Sequence, residues 1–194
     1  MRLATSLVPI ALAFTVGLAS QAQAESVIGI GIFGGIASPG GDMVDQTQES
    51  KSGPHYGVRI PMAFAKMFSI EPFMARTDGC ADSAYQFEFP PATNDGFDVT
   101  AYGVNVGFGR LVNNNGFNIA PYAGVGIHKF RREYGPADDP FGWRAGVALG
   151  LATSSTMHWN LRGEYNKMSK IDGEPDGRRY INVSLGVTCV VAPR

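Results

Sequence analysis

The sequence is poor in charge. Its 194 residues carry 16 Lys plus Arg and 17 Asp plus Glu, or 17% of the chain, against roughly 25% in an ordinary soluble domain. The formal net charge is −1. That balance lacks the basic surplus of a nucleic-acid binder, so no nucleic acid is expected as a partner. Cysteine is scarce as well: Cys80 and Cys189 are the only two, too few for a disulfide framework. No stretch reaches the ~18 consecutive apolar residues of a transmembrane helix; Val27 to Ala37 comes nearest and is full of glycine. Helical periodicity is almost absent along the chain. What is present is apolar material at 44%, aromatics at 11% and 25 glycines. That much apolar surface with so little net charge also excludes a disordered tail.

The first segment reads as a processing signal. Arg2 supplies a positive n-region, Leu7 to Leu18 an apolar h-region, and Ala22-Gln23-Ala24 a small-x-small cleavage site. The expected division is therefore a signal peptide over 1–24 and a single mature domain over 25–194. Loss of Arg2 with the signal would take the net charge from −1 to −2. Export without a helical anchor leaves two classes, a soluble protein or a membrane β-barrel.

The mature segment alternates with period 2. Strands are expected near 26–37, 54–65, 67–78, 97–112, 116–132, 141–153, 156–168 and 178–192. Ala65-Lys66-Met67, Asn113-Asn114-Asn115-Gly116 and Ser154-Ser155 are read as tight turns. The connections 38–53, 79–96, 133–140 and 169–177 are longer and richer in Gly, Pro and Asp. Short turns at one end and long loops at the other mark an up-and-down outer-membrane barrel.

The two faces of each strand favour the membrane. In the fifth strand Phe117, Ile119, Ala123, Val125 and Ile127 oppose Asn118, Ala120, Tyr122, Gly124 and His128. In the seventh, Trp159, Leu161 and Tyr165 oppose His158, Asn160, Arg162 and Glu164. A soluble barrel needs a well-hydrated outer face of Lys and Glu. Here the second face is glycine, alanine, asparagine and a few charges, which suits a crowded polar interior, so the aliphatic face is assigned to lipid. Phe64, Phe68, Phe108, Phe117 and Trp159 gather near the tight turns, and Tyr102, Phe141, Trp143 and Tyr165 near the long loops, as two interfacial aromatic belts would.

Segments of the chain also resemble a known family. They are Ser69 to Phe73, Tyr102 to Val106, Ala120 to Gly126, Trp143 to Gly146, Leu161 to Tyr165, and the final run to Val187. In order and spacing these resemble the small bacterial outer-membrane β-barrels, with the eight-stranded transmembrane domain of outer membrane protein A as the nearest architecture. The resemblance implies an all-β, eight-stranded antiparallel barrel in the cell outer membrane of a Gram-negative envelope. It also implies assembly by the barrel-assembly machinery. Many members of that family end on an aromatic residue, whereas this chain ends Cys189-Val-Val-Ala-Pro-Arg194.

Several features bear on function. Gly29-Ile-Gly31-Ile-Phe-Gly34 matches G-x-G-x-x-G but lacks the strand before and helix after that a dinucleotide site needs. No cofactor, metal ligand set or catalytic residue is assigned. Cys80 is expected at the outer loops and Cys189 near the periplasmic end, too far apart for a disulfide. Arg59, Glu71, Arg144, Arg162 and Glu164 carry interior parity, and with His128, Asn105, Asn118, Asn160 and Tyr122 they are expected to form a buried polar network. Lys129, Arg131, Arg132, Lys167, Lys170, Arg178 and Arg179 are expected near the outer interface, where they would meet lipid and lipopolysaccharide phosphates. His55 with Ser52, and His158 with Ser154 and Ser155, are the only nearby nucleophile–base combinations, without a triad-like motif.

The preferred reading is a monomeric, non-enzymatic outer-membrane barrel whose four long loops meet an extracellular partner. A narrow pore or small-solute transporter, a lipid A-modifying enzyme and a soluble carrier of an apolar ligand are the alternatives.

Overall fold

In the computed structural model, residues 26–39, 52–64, 67–82, 95–113, 115–132, 139–169 and 179–193 are described. The expected signal peptide, Lys170 and Arg178, and the centres of the four long loops lie outside them. The strands are β1 (Val27–Pro39), β2 (Gly53–Arg59), β3 (Met62–Phe64), β4 (Phe68–Asp82), β5 (Asp95–Phe108), β6 (Gly116–Arg132), β7 (Phe141–Ser154), β8 (Met157–Met168) and β9 (Arg179–Pro193). Each pairs antiparallel with its neighbour, and β1 pairs with β9 to close the sheet. Closure removes the exposed hydrogen-bonding edge, which lipid does not tolerate.

Nine segments make eight staves, because β2 and β3 form one stave broken at Ile60-Pro61. Proline has no N–H to donate to the ladder. The register survives the break: Ile60 N–H donates to the Pro72 carbonyl and Gly29 N–H to the Pro61 carbonyl, both at 2.9 Å. The expected single strand over 54–65 is thus corrected to an interrupted one.

Two further boundaries differ. β4 runs on to Asp82 and pairs Cys80 with Phe97, after a bulge between Thr77 and Cys80. Cys80 therefore lies in a strand rather than in a loop, and the connection expected at 79–96 is shorter at both ends. The expected strand 97–112 ends at Phe108. Gly109 adopts φ +101°, a left-handed conformation open to glycine, and the chain folds inward. Leu111 and Val112 are fully buried. Leu111 packs on Ala120, Tyr122 and Ala148, and Val112 on Val27, Ala63 and Val190. Every one of these partners has inward parity, so the connection sets an apolar plug inside that end of the barrel.

The outer surface is apolar over a band. Ile30, Ile32, Ile36, Val104, Ile119, Val125, Leu149, Leu161, Val183 and Leu185 are all exposed. From Phe117 to Ile127, a strand tilted by about 40° rises about 25 Å, the height of an outer-membrane hydrophobic band. Phe108, Phe117 and Trp159 are exposed toward one rim, and Tyr102, Phe141 and Trp143 toward the other. Cys189 is a free thiol on the outer face. Cys80 and Cys189 pair with Phe97 and Met157, at opposite ends of the barrel.

Candidate functional site

Period 2 sends every second side chain of the wall into the lumen. Arg59, Glu71, Asn105, Arg144, Asn160, Arg162 and Glu164 all arrive there buried. The central contact joins opposite walls: Arg162 on β8 donates two hydrogen bonds to Glu71 on β4, at 2.5 and 2.6 Å. Asn105 adds a third donor to Glu71 at 3.0 Å. The second carboxylate, Glu164, accepts from Tyr122 at 2.6 Å and Asn182 at 3.0 Å, and Arg144 lies at 3.5 Å.

The guanidinium groups also rest on aromatic faces. Arg144 lies 3.6 Å from the Phe73 ring centroid, Arg59 4.8 Å from Phe33 and Arg162 5.1 Å from Tyr122. Such contacts offset part of the cost of dehydrating a cation. Arg59 also donates to Asn160. Space left within this layer is about that of a single water molecule.

Histidines populate the same interior. His55 Nδ1 is 2.8 Å from the Thr77 hydroxyl, and its Nε2 is 3.2 Å from the Asn182 amide nitrogen and 3.8 Å from Glu164. His158 Nε2 is 3.2 Å from the Asn118 amide oxygen. His128 is a correction. It is buried with the expected parity, but neither ring nitrogen has a hydrogen-bond partner among the described residues. Its ring meets Tyr180 edge-on at 6.3 Å instead. The pattern did not mark His55 as interior, although it lies four residues from Arg59 on the same strand face.

Among the described residues, apolar side chains flank the layer on both sides. Beneath it sits the Leu111–Val112 plug, held by Ser69: its hydroxyl donates to the Gly109 carbonyl at 2.8 Å and accepts from Leu111 N–H at 3.3 Å. Toward the outer end, Ala37, Val99, Met168 and Tyr180 form an apolar cluster.

At the outer rim the cations of the expected basic set are only partly gathered. Lys129 is exposed, with Nζ 5.7 Å from the Tyr102 ring centroid. Lys167 on β8 pairs in register with Arg179 on β9 and Trp143 on β7. Arg131 and Arg132 are placed by backbone alone, opposite Asp98 and Phe97. A cluster that the sequence pattern did not mark stands beside them. Arg76 bridges Asp78 at 2.5 Å and Asp98 at 3.0 Å, and the Tyr56 hydroxyl donates to Asp78 at 2.6 Å. Its members come from β2, β4 and β5, which only the register brings together.

No curated protein sequence matches the chain. Among solved structures, Neisserial surface protein A is similar with a TM-score of 0.64 and 11% identity, over 84% of this chain and 96% of that one. Ail, the attachment invasion locus protein of Yersinia pestis, solved with the heparin analogue sucrose octasulfate, gives 0.52 and 16% identity, over 87% and 99%. At those identities the likeness is one of fold. The sequence itself matches the outer membrane protein beta-barrel domain over residues 10–189. With a closed eight-stave barrel, an apolar outer band and a match over nearly its whole length, the chain belongs to the outer membrane protein β-barrel family.

Proposed function

We propose that the barrel is a sealed anchor and that the protein acts through its outer rim and loops, as a structural or surface-interaction protein. One observation carries this reading: the lumen is filled by the Arg162–Glu71 and Arg144–Glu164 layer and stoppered below by Leu111 and Val112. An eight-strand barrel is just wide enough for side chains to fill it, and this one uses that width for ion pairs rather than for a water path.

The same geometry speaks against lipid A chemistry. An enzyme acting there needs a base at the membrane surface, whereas His55, His128 and His158 are all buried inside the wall. Export by the signal peptide over 1–24, and passage to the barrel-assembly machinery, complete the route. Apolar residues face outward all round the wall, so lipid alone covers it and a monomer suffices.

Lys129, Lys167 and Arg179 stand where the aromatic rim ends, and with Arg131, Arg132, Lys170 and Arg178 they would pair with lipopolysaccharide phosphates. An extracellular partner is assigned to the connections expected at 38–53, 79–96, 133–140 and 169–177. Ail, of the same fold, was solved with a sulfated sugar, which makes anionic glycans a first class of partner to assay.

Planar-bilayer recording tests the sealed anchor. No openings above leak are expected from the wild type. None are expected from Leu111→Ala either, because the charged layer above the plug still blocks the lumen. Regular openings from the wild type would overturn this reading in favour of a narrow pore.

A further inference from the structure

Among the described residues, the charges inside the barrel do not cancel. Three guanidinium groups, on Arg59, Arg144 and Arg162, are buried with two carboxylates, on Glu71 and Glu164. Arg162 is bound bidentately to Glu71, and Arg144 faces Glu164. Among the described residues Arg59 has no carboxylate at ion-pair distance; its contacts are Asn160 and the Phe33 ring. A buried cation without a counter-charge is costly. Protonation of any lumen histidine would only enlarge the positive excess.

Hydrogen-bond capacity points the same way. Each carboxylate is already surrounded by donors: Glu71 by Arg162 and Asn105, Glu164 by Tyr122, Asn182 and Arg144. The polar atoms left without partners on the residues lining the mid-lumen cavity are mostly N–H groups: Arg59 Nε, Arg144 Nη2 and Arg162 Nε, with Asn105 Oδ1 the single acceptor. Three unpartnered donors thus belong to three cations whose side chains line one space of about one water molecule.

We propose that this cavity binds one small monovalent anion of the halide type. A cation would meet guanidinium groups. A phosphate or an organic acid exceeds the space. A water molecule would satisfy the donors and leave the charge of Arg59 uncompensated. The Leu111–Val112 plug below and the apolar cluster above make the site a trap, so the anion enters as the barrel closes.

The protein should therefore be unfolded and refolded into detergent in sodium bromide, or in sodium gluconate of equal ionic strength. Crystals from the bromide preparation are expected to show an anomalous bromine peak at hydrogen-bonding distance from Arg59, Arg144 and Arg162. The unfolding equilibrium, followed by heat-modifiable migration on gels, reads the same binding by linkage. Above the dissociation constant, each tenfold rise in bromide multiplies the folding constant by about ten.

Arg59→Gln removes the excess charge and is expected to abolish that dependence, while Arg76→Gln at the outer rim keeps it. A cavity without an anomalous peak, or holding water only, together with equal stability in bromide and gluconate, overturns the proposal. If Arg59→Gln fails to fold, the wild-type bromide peak alone decides. Conductance is scored independently, so a barrel that conducts would remove the sealed-anchor reading without settling the anion.

Discussion

Glu71→Gln isolates the value of the central ion pair, because it removes a charge and almost no volume. In the wild type, Arg162 and Glu71 are 2% and 0% exposed at their side chains and share two short hydrogen bonds. With glutamine in place, the Arg162 guanidinium stays buried, and an amide N–H₂ replaces one of its acceptors. Removing one partner of a buried pair typically costs about 3–5 kcal/mol, most of it from the orphaned charge. Replacing both partners with apolar groups is different. Glu71→Leu with Arg162→Met leaves neither charge of this pair behind and orphans chiefly the Asn105 amide, at about 1–3 kcal/mol. The double variant is therefore expected to be more stable than either single variant, Glu71→Gln or Arg162→Met. The assay is equilibrium urea unfolding of barrels refolded in lipid vesicles, read by gel migration without boiling. A Glu71→Gln loss under about 1 kcal/mol, or a double variant losing at least the sum of the singles, would refute the claim that this pair is buried and mutually compensated.

Three other substitutions probe the wall. A Cβ on Gly146 would meet the Gly163 carbonyl oxygen at 2.5 Å and the Tyr122 ring at 2.9 Å, straining the wall and the Tyr122–Glu164 contact, so Gly146→Ala should cost about 1–3 kcal/mol in the same urea assay. Gly163 faces lipid with nothing within 4 Å of such a carbon, so Gly163→Ala should be neutral or slightly stabilising; equal losses at both sites would contradict the assigned facing. Leu149→Arg, on the apolar outer face, should cost about 2–4 kcal/mol if that face meets hydrocarbon. An unchanged unfolding curve would mean that the face meets water.

Period 2 made the lumen residues legible. A strand cannot turn one side chain inward without its second neighbours, so Arg144 on β7, and Arg162 and Glu164 on β8, had only one face to share with glycine and asparagine. The pairings were not legible. Glu71 and Arg162 lie 91 residues apart, and the stagger of the whole barrel decides which arginine crosses to which glutamate. His128 shows the limit from the other side: its facing follows from parity, but a hydrogen bond needs reach, and its ring lies against Tyr180. The expected strand takes in Leu111 and Val112 because an apolar pair after a strand looks like more strand. Gly109 and the asparagines of 113–115 were the available signals that the chain turns there. Pro61 likewise announced the break in the second stave.

Scarce charge and abundant glycine have one cause in this fold. The lumen of an eight-strand barrel has a fixed width, so each large polar side chain needs an absent one across the wall. A Cβ on Gly186 would overlap the Arg59 guanidinium, one on Gly142 the His128 ring, one on Gly150 the His158 ring, and one on Gly124 the Asn105 amide. Large polar residue and glycine occupy the space of one ordinary pair between them. The number of charges inside is then limited by how many glycines the wall contains, while the apolar band excludes charge outside. Because volume is exchanged locally, trimming Arg59 alone would leave a void beside Gly186 that the rigid wall cannot close. Filling that void from Gly186 alone is blocked while Arg59 remains. Charge, glycine and wall therefore have to be substituted together, which binds the composition of the chain to the sealed state of its barrel.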